Sequence, residues 1–248
     1  MIEEIIPNLY RIPVPLPDNP LRELNSYLIR GEDRSLLIDT GFRLPPCRRA
    51  MEEGLREAGA DRSRLDILCT HIHTDHTGQC LDLIAPGRTI YIGAGDYPMT
   101  FRSYDAWFWD ISDRRFSQED FPPEEARVLL RTNPARTLGP DLERLSCTPL
   151  SDGDRLAVGD YVLEVIETPG HTPGGVCYHL PDDRLLLSGD TLFAGSVGRT
   201  DLPGGDMPTL MASLSKLVAL PGDTIVVPGH GPETTIASER KYNPFLQR

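Results

Sequence analysis

The chain of 248 residues, 39% hydrophobic and 25% charged, suits one large globular domain or two small ones and can bury a sizeable core. A formal net charge of -12 leaves no overall basic field for a phosphate backbone, so no nucleic acid partner is expected. No apolar stretch reaches the length of a membrane span, and Met1-Ile2-Glu3-Glu4 lacks the basic start of a signal peptide, so a cytoplasmic protein without membrane association is expected.

In chain order, Asn25 to Ile29 and Ser35 to Asp39 read as strands joined by the polar turn Gly31-Glu32-Asp33-Arg34, a hairpin signal. The second strand runs out on Asp39-Thr40-Gly41, where Asp39 either makes a turn or supports a metal-ligand loop. Residues 46 to 58 carry Ala50, Met51, Leu55 and Ala58 at helical spacing, with Gly59 as the stop. The strand Leu65 to Cys69 then delivers Thr70-His71-Ile72-His73-Thr74-Asp75-His76, and a helix is expected from about Thr77.

After the strand Thr89 to Ile92 comes a stretch of different composition, residues 95 to 146. It contains both tryptophans, Trp107 and Trp109, among several other aromatic residues. Beyond it, strands are expected at Tyr161 to Ile166, Gly175 to Leu180, Arg184 to Ser188 and Thr224 to Val227, with a helix over 206 to 220. Two runs of strands, each followed by helices, predict layers of sheet with helices on both outer faces. The five cysteines, Cys47, Cys69, Cys80, Cys147 and Cys177, form no C-x-x-C pair and read as small buried hydrophobes.

Three imidazoles and a carboxylate within six residues point to metal chemistry, because nitrogen and carboxylate oxygen together suit zinc, manganese or iron. His71 and His73, at i and i+2, can converge on one ion while Asp75 and His76 point elsewhere, toward a second. Of the remaining histidines, His171 in Pro169-Gly170-His171-Thr172-Pro173-Gly174 and His230 in Pro228-Gly229-His230-Gly231 follow strand ends. Their glycines and prolines preset the turns. Asp190, in Ser188-Gly189-Asp190-Thr191, repeats that placement, whereas His179 lies mid-strand and reads as structural.

These motifs resemble the metallo-β-lactamase superfamily over nearly the whole chain: H-x-H-x-D-H at His71 to His76, then His171, Asp190 and His230. The resemblance implies an α/β fold, a four-layer αββα sandwich in a single domain over 1–248; the concentration of aromatic residues in 95–146 points to a helical cap insertion within it. It implies one metal held by His71, His73 and His171 and another by Asp75, His76 and His230, with Asp190 bridging. The cofactors would be two divalent metal ions, zinc first, with iron or manganese as alternatives. Two such ions lower the pKa of a shared water and polarise a carbonyl or phosphoryl oxygen. Asp75 would both bind metal and orient the attacking hydroxide.

Smaller features select a branch. A bridging aspartate resembles the glyoxalase II, lactonase and phosphodiesterase branches, whereas true β-lactamases lack it, so antibiotic hydrolysis is not expected. Gly189-Asp190-Thr191-Leu192-Phe193 looks like the run in hydroxyacylglutathione hydrolases. Gly198-Arg199-Thr200-Asp201-Leu202-Pro203-Gly204-Gly205 is similar to compact glyoxalase II-like hydrolases and, in its first four residues, to persulfide dioxygenases. Two departures stand out: 18 residues follow His230, too few for a C-terminal helical glutathione-binding domain, and Arg199 replaces a substrate-binding lysine.

The resulting expectation is a binuclear metal-dependent hydrolase, a thioesterase of the glyoxalase II type acting on a small-molecule acyl thioester. A mononuclear-iron persulfide dioxygenase, or a lactonase or phosphodiesterase of the same superfamily, is the alternative. Arg199 is expected to contact an anionic part of the substrate or to pair with Asp201. Trp107 and Trp109 either line the substrate entrance or pack the insertion onto the sandwich or onto a partner subunit of a homo-oligomer.

Overall fold

The computed structural model describes residues 1–17, 19–97 and 146–247. Seven strands form a first sheet in sequence order: β1 (Glu3–Ile6), β2 (Leu9–Pro15), β3 (Glu23–Ile29), β4 (Ser35–Ile38), β5 (Leu65–Leu68), β6 (Thr89–Gly93) and β7 (Ser146–Leu150). The second sheet has six strands. Its β8 (Arg155–Val158), β9 (Tyr161–Glu167), β10 (Val176–Leu180) and β11 (Leu185–Gly189) are antiparallel neighbours, with β14 (Ile225–Pro228) and β15 (Thr234–Thr235) added beyond β11. A small ribbon, β12 (Leu192–Phe193) with β13 (Ser196–Val197), stands apart. The helices are α1 (Pro45–Glu57), α2 (Thr74–Thr77), α3 (Cys80–Leu83), α4 (Met207–Leu217) and α5 (Ile236–Tyr242).

Strand alternation explains the layering. Leu36 and Ile38 on β4, with Leu185 and Leu187 on β11, point between the sheets and meet Tyr27, Leu163 and Tyr178 there. The intervening Leu37 faces the layer built by Cys47, Met51 and Leu55 of α1, while Leu186 faces Leu210, Leu214 and Leu217 of α4. Strands β4, β5, β10 and β11 are buried along their whole length because both of their faces are covered. The result is the expected four-layer αββα sandwich. Each large aliphatic side chain removed from water there contributes about 1.5–3 kcal/mol.

The hairpin of β3 and β4 has the expected antiparallel pairing, Tyr27 opposite Ile38. Helix α1 starts on two prolines, whose missing N–H groups cost nothing in a first turn. It stops where anticipated: Gly59 takes φ +68°, its N–H bonds the Arg56 carbonyl at 3.1 Å, and the Ala60 N–H bonds Leu55 at 2.9 Å.

Two expectations are corrected. No single helix starts at Thr77; α2 already begins at Thr74, and α3 is a separate turn. The cause is the His76 carbonyl, which accepts from Thr40 N–H at 2.7 Å and Thr40 Oγ1 at 2.9 Å, so it bonds the end of β4 instead of the next helical turn. Strands β1, β2, β7 and β8 were also not anticipated. In β2 the prolines Pro13 and Pro15 hide the pattern, and they are tolerated because β1 pairs with β2 only as far as Arg11, leaving them on a free edge.

Trp107 and Trp109 lie outside the described residues, as does most of the 95–146 segment. Its outer residues belong elsewhere: Ser146 opens β7, which pairs in parallel with β6, and Asp96 packs against the loops described next. No helix among the described residues is long and apolar enough to cross a membrane.

Candidate metal centre

The carboxyl ends of β4, β5, β9, β11 and β14 open on one side of the sandwich, the edge where ligands commonly bind in sheets with parallel neighbours. Their loops bring together the seven sequence-predicted donors. His71, His73 and His171 place one ligand atom each within 4.8 Å of one another, as do Asp75, His76 and His230, and as do His71, His76 and Asp190.

Within the first group, His71 Nε2 stands 3.0 Å from His73 Nδ1. In the second, His230 Nε2 is 3.3 Å from His76 Nε2 and 3.5 Å from Asp75 Oδ2. Asp190 sits between them, with Oδ1 3.4 Å from His76 Nε2 and Oδ2 3.7 Å from His171 Nε2 and 3.6 Å from His230 Nε2.

Acceptors behind the rings fix which nitrogen faces inward. His171 Nδ1 donates to the Arg199 carbonyl at 2.7 Å, His230 Nδ1 to the Glu23 carbonyl at 2.7 Å, and His76 Nδ1 to Asp39 Oδ2 at 2.7 Å. Each assignment follows from the acceptor, and each leaves Nε2 for the centre. Asp39 also accepts from Thr70 N–H at 2.8 Å and Thr70 Oγ1 at 2.7 Å, so it supports the His76 loop in addition to turning the chain.

The charge pattern divides the two groups. Burial, reinforced by neighbouring imidazoles, holds His71 well below the usual imidazole range and His73 down at about 3. His171 is lowered by burial against the pull of Asp190. Burial also opposes charge on His76 and His230, but Asp39, Asp190 and Asp75 around His76, and Asp190 and Asp75 beside His230, outweigh it and raise both. Burial would raise Asp75 and Asp190, yet the imidazoles hold Asp75 at about 2 and Asp190 well below the carboxylate range.

The donor set fits a divalent cation. His171 Nε2 and Asp190 Oδ1 are buried without a hydrogen-bond partner among the described residues. A cation supplies what such inward-facing lone pairs lack, and imidazole with carboxylate suits zinc, iron or manganese.

Other expectations fare differently. Arg199 contributes its carbonyl to His171, while its guanidinium makes a two-point pair with Asp201, both bonds 2.7 Å, with more than half of each side chain exposed. His179 lies in β10, outside the cluster, as anticipated. Four of the cysteines are buried and Cys147 is only partly so.

Two supporting residues escaped the sequence reading. Asn25 Nδ2 donates to the Pro228 and Gly231 carbonyls, bracing the His230 loop. Asp96, wholly buried, accepts from Ile72, Thr172 and Gly174. Burial pushes its carboxyl up to about 6, against the pull of those donors. The available signal was the Gly93-Ala94-Gly95-Asp96 run directly after a strand.

The family model described as the Metallo-beta-lactamase superfamily matches residues 20–230. The Probable metallo-hydrolase YqgX of Bacillus subtilis (strain 168) is 34% identical over 234 residues, 93% of this chain and 95% of that protein. The Hydroxyacylglutathione hydrolase GloC of Haemophilus influenzae is 27% identical over 235 residues, covering 93% and 96% respectively. Among solved structures, TTHA1623 in a di-iron-bound form superposes with a TM-score of 0.67 at 34% identity, over 94% of this chain and 99% of that one.

Proposed function

The chain belongs to the metallo-beta-lactamase superfamily, and from that membership we propose that it is a binuclear metal-dependent hydrolase of small acyl thioesters. The observation that carries this reading is the convergence of two three-residue donor groups on either side of Asp190. His71, His73 and His171 would hold one divalent cation, Asp75, His76 and His230 the other, and Asp190 would face both. Two such cations, when bound, supply a water activated at neutral pH and polarisation of the substrate carbonyl.

The protein's own part is to bind and orient. Asp39 and the Arg199 and Glu23 carbonyls pin the imidazoles, so little reorganisation is left for the reaction. Asp75, held ionised, accepts the hydrogen bond that aims the attacking water. The water oxygen bonds to the acyl carbon, the carbon–sulfur bond breaks, and the products are a carboxylic acid and a free thiol. The likeness to GloC supports a thioester over a lactone or phosphodiester. Arg199 would meet an anionic group on the thiol carrier by exchanging its partner Asp201.

The test is metal content together with a panel of acyl thioesters on several thiol carriers, glutathione included. Two ions per chain and metal-dependent release of thiol are expected. One iron per chain, with oxygen consumed in the presence of glutathione persulfide and no thioester hydrolysis, overturns the reading in favour of a persulfide dioxygenase. Zinc, iron and manganese are compared by reconstituting the stripped protein with each.

A further inference from the structure

We infer that Asp96 is a positioning residue: its carboxylate locks the loop carrying His71 and His73 against the loop carrying His171, so that these three imidazoles form a preset cation site. The inference rests on reading those histidines as metal ligands.

Asp96 is 0% exposed and, among the described residues, no salt bridge reaches it, yet both of its oxygens are used. Oδ2 accepts from the Ile72 N–H at 3.0 Å, between the two histidines of the first loop, and from Thr172 Oγ1 at 2.8 Å, next to His171. Oδ1 accepts from the Gly174 N–H at 2.7 Å. One carboxylate therefore bonds both ligand loops, which are about a hundred residues apart in the chain, within one residue of His71, His73 and His171. Hydrogen bonds to an ionised acceptor are worth roughly twice neutral ones, and more where water is excluded.

The approach is built into the backbone. A Cβ on Gly93 would lie 2.0 Å from the Gly174 carbonyl oxygen, one on Gly95 2.3 Å from the Pro173 oxygen, and one on Gly174 1.9 Å from the Asp96 nitrogen. Only glycine at all three positions lets the end of β6 touch the His171 loop, and that contact delivers the Asp96 carboxylate. The other donor group is braced separately, by Asp39 behind His76, and by Asn25 and the Glu23 carbonyl at the His230 loop. Loss of Asp96 should therefore act on one cation site only.

Asp96→Asn keeps the size but turns an N–H donor toward donors. The measurement is zinc affinity of the metal-stripped protein by chelator competition, in two backgrounds: His230→Ala, which isolates the His71/His73/His171 site, and His171→Ala, which isolates the other. The expected result is a loss of about 10–100-fold in the first background and less than about twofold in the second. Thr172→Val removes one donor, leaves the carboxylate, and should cost about threefold to tenfold in the first background only; it decides the matter if Asp96→Asn does not fold. Equal losses in both backgrounds, tracking a lowered melting temperature of the metal-free protein, mean a merely structural role and overturn the inference. Unchanged affinity in the first background does so as well. A parent protein that takes up no zinc, iron or manganese refutes instead the metal-site reading beneath it.

Discussion

The Asp39 carboxylate lies 2.7 Å from His76 Nδ1, and Asp39 itself holds a left-handed backbone at φ +59°. One residue thus turns the chain at the end of β4 and fixes the ring that opens the second donor group. Asp39→Asn keeps the backbone preference but replaces one of the two accepting oxygens by an N–H donor, which must then face either the His76 Nδ1–H or the Thr70 N–H. Zinc affinity at the Asp75/His76/His230 site should fall by about 10–100-fold. Asp39→Ala also loses the tolerance of left-handed backbone that a short polar side chain gives, a cost of up to about 1 kcal/mol, visible in chemical denaturation of the metal-free protein.

Asp75→Asn and His230→Ala each remove a donor from that same group, where Asp75 Oδ2 and His230 Nε2 are 3.5 Å apart. Each variant is expected to purify with one ion per chain. Turnover on the best thioester should drop by roughly a hundredfold or more, since several kcal/mol of transition-state stabilisation go with the second cation. Elemental analysis beside steady-state kinetics checks both numbers.

Metal uptake should depend on pH differently at the two sites. The carboxylates around His76 and His230 raise their pKa values, so these rings hold their protons to higher pH than a free imidazole, and a cation must displace them. Those of His71, His73 and His171 are lowered and present neutral nitrogens down to acid pH. As pH falls from 8 toward 6, the Asp75/His76/His230 site should empty first, and loading it should release protons, read from calorimetry in buffers of different ionisation enthalpy. In the metal-free protein the dependence runs the other way: the stability contributed by the raised pair is present below about pH 6.5 and is lost as pH rises through their higher folded-state values.

Arg199 and Asp201 form an exposed pair, so Arg199→Leu should change stability by no more than about 1 kcal/mol. If Arg199 meets the thiol carrier, the variant raises KM for anionic thioesters and leaves neutral ones unchanged. An equal effect on both classes removes Arg199 from substrate binding.

Gly174→Ala would place a Cβ 1.9 Å from the Asp96 backbone nitrogen, with no flexible side chain to yield. A loss of about 1–3 kcal/mol or more is expected, lowering the melting temperature by several degrees in a protein of this size.

The local chemistry of this site is written in short runs of sequence. His71 to His76 declare a metal site by residue type and spacing alone, and His171, Asp190 and His230 stand out because each follows an apolar strand and is flanked by turn-forming residues. The hairpin at Gly31 to Arg34 and the helix closed by Gly59 were legible for the same reason: their signals lie within a few neighbouring residues. Asp96 and Asn25 were not: the glycines before Asp96 mark a strand end but no partner, nothing next to Asn25 marks it, and their partners at Thr172, Gly174, Pro228 and Gly231 come near only when the two sheets stack. The division of the imidazoles into a trio whose pKa values are lowered and a pair whose values are raised was likewise hidden. It depends on how deeply each ring is buried and which carboxylates surround it, and both are set by long-range packing rather than by residue order.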